Sequence, residues 1–138
     1  MPLRTKDKKV QMLKRVPLFG SCSSSSLSQI GRIADEIRLT EGRELISEGA
    51  PGRQFFILLA GTADVLRKGR KIATMRAGDF FGEISLLTDR PATATIKLTE
   101  DAALLVITRA GFRRLLRENS GVNLQVLQAL AERVPIDY

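Results

Sequence analysis

The spacing of apolar positions changes along the chain, and each change marks an element. Residues 5–15 read as a short amphipathic helix, with Val10, Leu13 and Met12 facing the body and Lys6, Lys8, Lys9, Lys14 and Arg15 in water. Pro17 stops it. The serine run of "SCSSSSLSQI" supplies an N-cap rather than a linker, because a hydroxyl oxygen accepts from the unpaired amides of a helix start. Leu27, Ile30, Ile33 and Ala34 then recur at helical spacing.

From 37 to 107 short β-rich segments alternate with turn signals. "EIRL" leads into "EGRELISEG", "APGRQ" turns the chain, and "FFILLAGTADVL" is long and apolar, interrupted at Gly61. "RKGR" reads as a hairpin turn before "KIATM", "RAGD" turns again, "TATIKL" alternates, and "ALLVIT" closes the series. Short strands joined by glycine turns, with no long helix between them, predict a mainly β fold, a sandwich or jelly-roll barrel, flanked by helices. After Thr108, a plausible N-cap, Phe112, Leu115 and Leu116 share a face opposite Arg109, Arg113, Arg114 and Arg117. "NSG" at 119–121 breaks this helix, and a second carries Val122, Val126, Leu127, Leu130, Ala131 and Val134 up to Pro135. These stripes are first of all packing surfaces; a lid over a ligand or a dimer seam is the functional alternative.

Composition narrows the function classes. The 138 residues suit one domain, and an apolar content of 43% with aromatics at only 5% predicts an aliphatic core. A formal charge of +7 favours anionic partners, although a basic protein without a polyanion partner has the same balance. For the lysines of 5–15, a basic arm for nucleic acid stands beside a solvated helix face. Cys22 is the only cysteine, so no intrachain disulfide forms and a reducing cytoplasm is the simplest home. Histidine is absent, which removes the commonest general base and metal ligand, and no P-loop, G-x-S-x-G or Cys–His pair is present. No metal, cofactor or enzymatic activity is expected. No apolar run approaches the roughly 18 residues of a membrane span, and no hydrophobic stretch follows the N-terminal charges.

The stretch "FFGEISLLTDRPATATI", residues 80–96, carries the chemistry. Gly82 lets a ligand approach the backbone closely. "EISLL" makes one helical turn, with Ile84 and Ser85 in it and Leu86 and Leu87 as anchors, and a turn start offers amides to an anion. Glu83 would repel a bare phosphate but suits a ribose hydroxyl as donor. Thr93 and Thr95 alternate on a strand and point one way.

These residues resemble the phosphate-binding cassette of cyclic nucleotide-binding domains, whose pattern is roughly F-G-E-[LI]-[AS]-L-L-x-x-x-P-R-[TSA]-A-T-[VI]. The chain reads Phe81-Gly82-Glu83-Ile84-Ser85-Leu86-Leu87, three residues, then Pro91-Ala92-Thr93-Ala94-Thr95-Ile96. The surrounding segments extend the similarity over about 16–134. The resemblance implies an eight-stranded antiparallel β jelly-roll barrel with N-terminal helices (5–35), barrel (36–108) and two C-terminal helices (109–134). It implies cAMP or cGMP as ligand, with Glu83 on the ribose 2′-hydroxyl. The backbone of Gly82, Ile84 and Ser85 would lie at the sugar and phosphate, Thr93 and Ala94 at the phosphate or base, and Leu127 or Leu130 of the last helix over the base.

One position departs: the family's phosphate arginine falls on Ala92. A hydrogen bond to a charged group contributes about 1.5–3 kcal/mol, so its loss weakens binding roughly ten- to a hundredfold. Arg90, two residues earlier, is the candidate substitute by its i, i+2 geometry, though it also reads as a bystander at the rim. Two functions follow: a ligand-sensing regulatory domain weakened by Ala92, or a barrel that lost its ligand and serves as a protein-interaction module. No DNA-binding element follows the last helix in this sequence, so the expectation is a fragment of a longer protein or a domain that acts on a separate effector protein, and the helix's apolar stripe could pair in a homodimer.

Overall fold

The computed structural model describes residues 5–133, and their side chains except at 5–8, 84, 85, 129 and 133. Val134 and Pro135, expected to finish the last helix, lie outside the described residues. Helix α1 (Thr5–Lys14), a 3-10 turn (Pro17–Phe19) and α2 (Ser24–Ile33) precede eight described strands: β1 (Ala34–Leu39), β2 (Glu44–Ile46), β3 (Gln54–Ala60), β4 (Ala63–Arg67), β5 (Arg70–Met75), β6 (Phe80–Phe81), β7 (Thr95–Leu98) and β8 (Ala102–Thr108). Helix α3 (Glu83–Thr88) interrupts the series between β6 and β7, and α4 (Arg109–Glu118) and α5 (Ser120–Arg133) follow it.

The strands form two four-stranded sheets, β1-β8-β3-β6 and β2-β7-β4-β5, with antiparallel pairing throughout. This is the jelly roll expected from the cassette resemblance, with its strands divided between two sheets. The first sheet separates two apolar clusters. Phe55 and Ile57 of β3 and Leu105 and Ile107 of β8 join the helices' Leu13, Phe19, Leu27, Ile30, Phe112 and Val126. Their neighbours Phe56, Leu58, Leu104 and Val106 face the other way and pack with Val65, Ile96 and Leu98 of the second sheet. Side chains alternate across a strand, so a strand buried on both faces must be apolar at every position. That is why "FFILL" and "LLVI" run without polar interruption.

The caps behave as the residue types require. Ser23 Oγ accepts from the Ser26 amide at 3.1 Å at the start of α2, and Thr108 Oγ1 accepts from the Gly111 amide at 3.1 Å at the start of α4. In the β4–β5 hairpin Lys68 (φ 52°) and Gly69 (φ 77°) both take positive φ between the paired Arg67 and Arg70. Two positive central angles define the tight turn whose twist matches the flanking strands.

Several expectations change. The core is not simply aliphatic: five of the six phenylalanines are buried and Phe80 is half-buried, with Phe55 stacked on Phe112 at 4.3 Å between centroids. Scarce aromatics are concentrated where they cover most area. Ala34 opens β1 instead of closing the helical stripe. Lys9 leaves the water expected for it and donates to the Ala34 carbonyl. The break between α4 and α5 is Asn119 alone; Ser120 and Gly121 are already helical. On α5, Val122 and Val126 are buried but Leu127 is 56% exposed, so the outer part of that stripe faces solvent. Among the described residues no helix is long and apolar enough to cross a membrane.

Candidate ligand-binding cleft

A cleft of about 260 Å³ opens between α3 and the second sheet. Its apolar wall comes from Ile46, Val65, Ile72, Met75, Phe81 and Ile96, and its polar side from Gly82, Glu83, Thr93 and Arg67. Ile72 is 50% exposed and lines the cleft, leaving apolar surface there open to solvent. Two other clefts, of about 120 Å³ between α2 and α4 and about 250 Å³ between α1 and α2, contain none of the cassette residues.

Glu83 begins α3 and is 1% exposed while lining the cleft. A carboxylate this buried is costly unless donors surround it, so its position is demanding and specific. Gly82 takes φ 97°, and a Cβ there would stand 2.6 Å from the Gln54 carbonyl oxygen. Glycine is therefore required first by the approach of β3; the ligand-facing backbone expected at this residue is a second consequence, since Gly82 also lines the cleft. Ile84 and Ser85 lie in the first turn of α3, as expected, and Leu86 anchors that helix in the core while Leu87 is exposed.

The other cassette residues separate into two groups. Ala92, Thr93 and Ala94 line the cleft. The Ala92 backbone is engaged on both sides, its amide donating to Ala50 O at 2.9 Å and its carbonyl accepting from the Gly49 amide at 2.8 Å. Ala92 therefore presents only a methyl where the resembled pattern has a guanidinium. Thr95 does not line the cleft with Thr93; its hydroxyl accepts from the Glu48 amide at 3.0 Å. Arg90 is exposed and is not among the lining residues, and its amide donates to Thr88 Oγ1 at 3.3 Å. Leu127 and Leu130 do not line the cleft either; α5 packs on α4 and the 3-10 turn.

Two features escaped the sequence reading. Arg67, read only as part of a turn, lines the cleft, and its Nε donates to Thr93 O at 3.2 Å. The signal was there: Ala63 and Val65 are the inward positions of β4, so Arg67 continues the inward alternation. Secondly, Arg109 and Arg113, read only as lying opposite the apolar face of their helix, reach the end of the cassette. Both pair with Asp89, Arg113 at 3.5 Å, and Arg113 Nη2 also donates to Leu86 O at 3.1 Å. Cys22 packs against the helical cluster rather than the cleft, and burial pushes its thiol pKa up.

Comparison with known proteins bears on this geometry. The sequence model of the cyclic nucleotide-binding domain matches residues 36–119. The cAMP-dependent protein kinase regulatory subunit of Aspergillus fumigatus is 37% identical over 106 residues, which are 75% of this chain and 26% of that protein. Its counterpart in Colletotrichum orbiculare is 35% identical over 112 residues, 80% of this chain and 29% of that protein. The chain thus spans roughly a quarter of the length of these curated relatives. Among solved structures, PKAR CBD2 bound to Sp-2Cl-cAMPS superposes with a TM-score of 0.73 at 27% identity, covering 93% of this chain and 95% of that one.

Proposed function

The chain belongs to the cyclic nucleotide-binding domain family, and from that premise we propose that its cleft receives a cyclic nucleoside monophosphate and reports it to an effector protein. The observation that carries the proposal is the buried Glu83 carboxylate at the start of α3, set in a cleft whose opposite wall is apolar. A cleft-lining carboxylate accepts hydrogen bonds, and a ribose 2′-hydroxyl can donate one. The backbone of Gly82, Ile84 and Ser85 would take the sugar and phosphate edge, Thr93 and Ala94 the phosphate side, and Ile72, Met75 and Val65 the flat face of the base. cAMP is the first ligand to test, because the fungal relatives are cAMP-dependent kinase regulatory subunits. A kinase catalytic subunit is the corresponding effector.

Ala92 favours a second reading, in which the domain has lost its ligand and acts through its surface alone. Calorimetric titration with cAMP and cGMP, on the unaltered chain and on Ala92→Arg, separates the two. For the sensor we expect saturable binding by the unaltered chain, strengthened about ten- to a hundredfold by Ala92→Arg. Binding only by the variant supports the ligand-free module. Failure of both proteins to saturate at millimolar nucleotide would sink the cleft as a nucleotide site.

A further inference from the structure

A cyclic phosphodiester brings a negative charge into a cleft that already holds a buried carboxylate. Without a cation beside it, that phosphodiester is held less tightly. The residue that the family pattern uses for this purpose is Ala92 here, so a cation from another segment is needed to restore that contact.

Among the described residues that line the cleft, Arg67 is the one cation and Glu83 the one anion. Arg67 sits at the end of β4, where the register pairs Leu66 with Thr95 and so sets Arg67 across from the Ala94 region of the cassette. Its Nε bond to Thr93 O holds the guanidinium plane against the 92–94 segment. A guanidinium has five donors, and among the described residues the terminal nitrogens of Arg67 have no other hydrogen bond, which leaves that edge able to meet two phosphate oxygens. The competing arginines are occupied or remote. Arg109 and Arg113 pair with Asp89, and Arg90 stands outside the cleft.

We propose that Arg67 supplies the positive charge for the phosphodiester of the bound cyclic nucleotide, reaching it from β4 in place of the cassette arginine missing at Ala92. This rests on the cyclic nucleotide reading of the cleft. Three consequences follow from it. Selectivity for cAMP over uncharged adenosine resides in Arg67. The interaction is salt-sensitive, because Arg67 is exposed. An arginine introduced at 92 makes Arg67 partly redundant.

The test is titration of cAMP and of adenosine against the unaltered chain, Arg67→Gln, Arg67→Lys, Ala92→Arg and the double variant, at low and high salt, with thermal melting as the check on folding. Expected is a loss of about tenfold in cAMP affinity for Arg67→Gln, the lower end of the range for a charged hydrogen bond because of solvent screening. Adenosine affinity should be unchanged, Arg67→Lys should retain part of the cAMP affinity, and the Gln effect should shrink in the Ala92→Arg background. Equal losses for Gln and Lys, or for cAMP and adenosine, would show that Arg67 only braces Thr93, and would overturn the proposal. So would cAMP binding indifferent to Arg67→Gln, or unaltered chain that binds adenosine as well as cAMP. If Ala92→Arg alone binds cAMP, Arg67 does not supply the charge although the cleft is a nucleotide site. If no variant binds, the reading of the cleft falls with it.

Discussion

Gly82 and Gly69 share a positive φ but not an environment, and the comparison separates backbone preference from crowding. A Cβ on Gly69 (φ 77°) meets nothing within 4 Å, whereas one on Gly82 (φ 97°) meets the Gln54 carbonyl oxygen at 2.6 Å. Gly69→Ala should therefore cost only the left-handed strain, about 1 kcal/mol. Gly82→Ala adds a clash with main-chain atoms that cannot rotate away, and should cost at least about 3 kcal/mol. Urea unfolding of both variants measures the difference, and equal costs would mean that β3 yields more readily than its buried position allows. At the same scale, Ala92 illustrates how a substitution can spare the fold: its bonds to the 49–50 turn come from its amide and carbonyl, not from its side chain.

Among the elements, α3 and α4 are tied by charge at the surface and by apolar contact below it. Asp89, held in the left-handed region at φ 58°, meets Arg109 and Arg113, and Arg113 also caps the Leu86 carbonyl of α3. These groups are substantially exposed, so Asp89→Asn should change global stability by less than about 1 kcal/mol. The local effect should be larger: amides of 83–88 should exchange faster in the variant, because α3 is too short to hold its own hydrogen bonds without docking. Unchanged exchange across α3 would show that Leu86 packing alone holds it. α4 rests on β3 and β8, and α5 packs on α4 and the 3-10 turn, with Phe112, Val122 and Val126 all in the helical cluster.

For the molecule as a whole, the first sheet is the partition between a helical core and a sheet-to-sheet core. Phe55 lies on the helical side, stacked on Phe112 and tilted against Phe80 at 5.6 Å. Phe55→Ala should cost about 3–5 kcal/mol, the range for emptying a buried aromatic site. The cleft belongs to the other face, lined by Val65, Phe81 and Ile96, so the same substitution should leave nucleotide affinity of the folded fraction nearly intact. Denaturation midpoints and titration on one preparation test both halves of that statement. Loss of affinity in step with stability would mean that the two cores are mechanically coupled through β3.

Much of this architecture was open to reading from the linear chain. Apolar runs with alternation, the turn at "RKGR", the serine and threonine caps and the order of the cassette each depend on a few neighbouring residues, and local chemistry determines them. The same is true of Glu83 and Ala92 as the acid and the departure within the cassette. What only the tertiary structure decided were the partnerships between distant segments. Arg67 joins Thr93 across the β4–β7 register, Thr95 is taken by Glu48, and Asp89 is met by arginines from α4. The α5 leucines, equivalent in the helical stripe, are divided between core and solvent by what α4 and the 3-10 turn cover. Periodicity says which residues share a face, but strand register and helix docking, set by the summed burial of both cores, decide what that face meets.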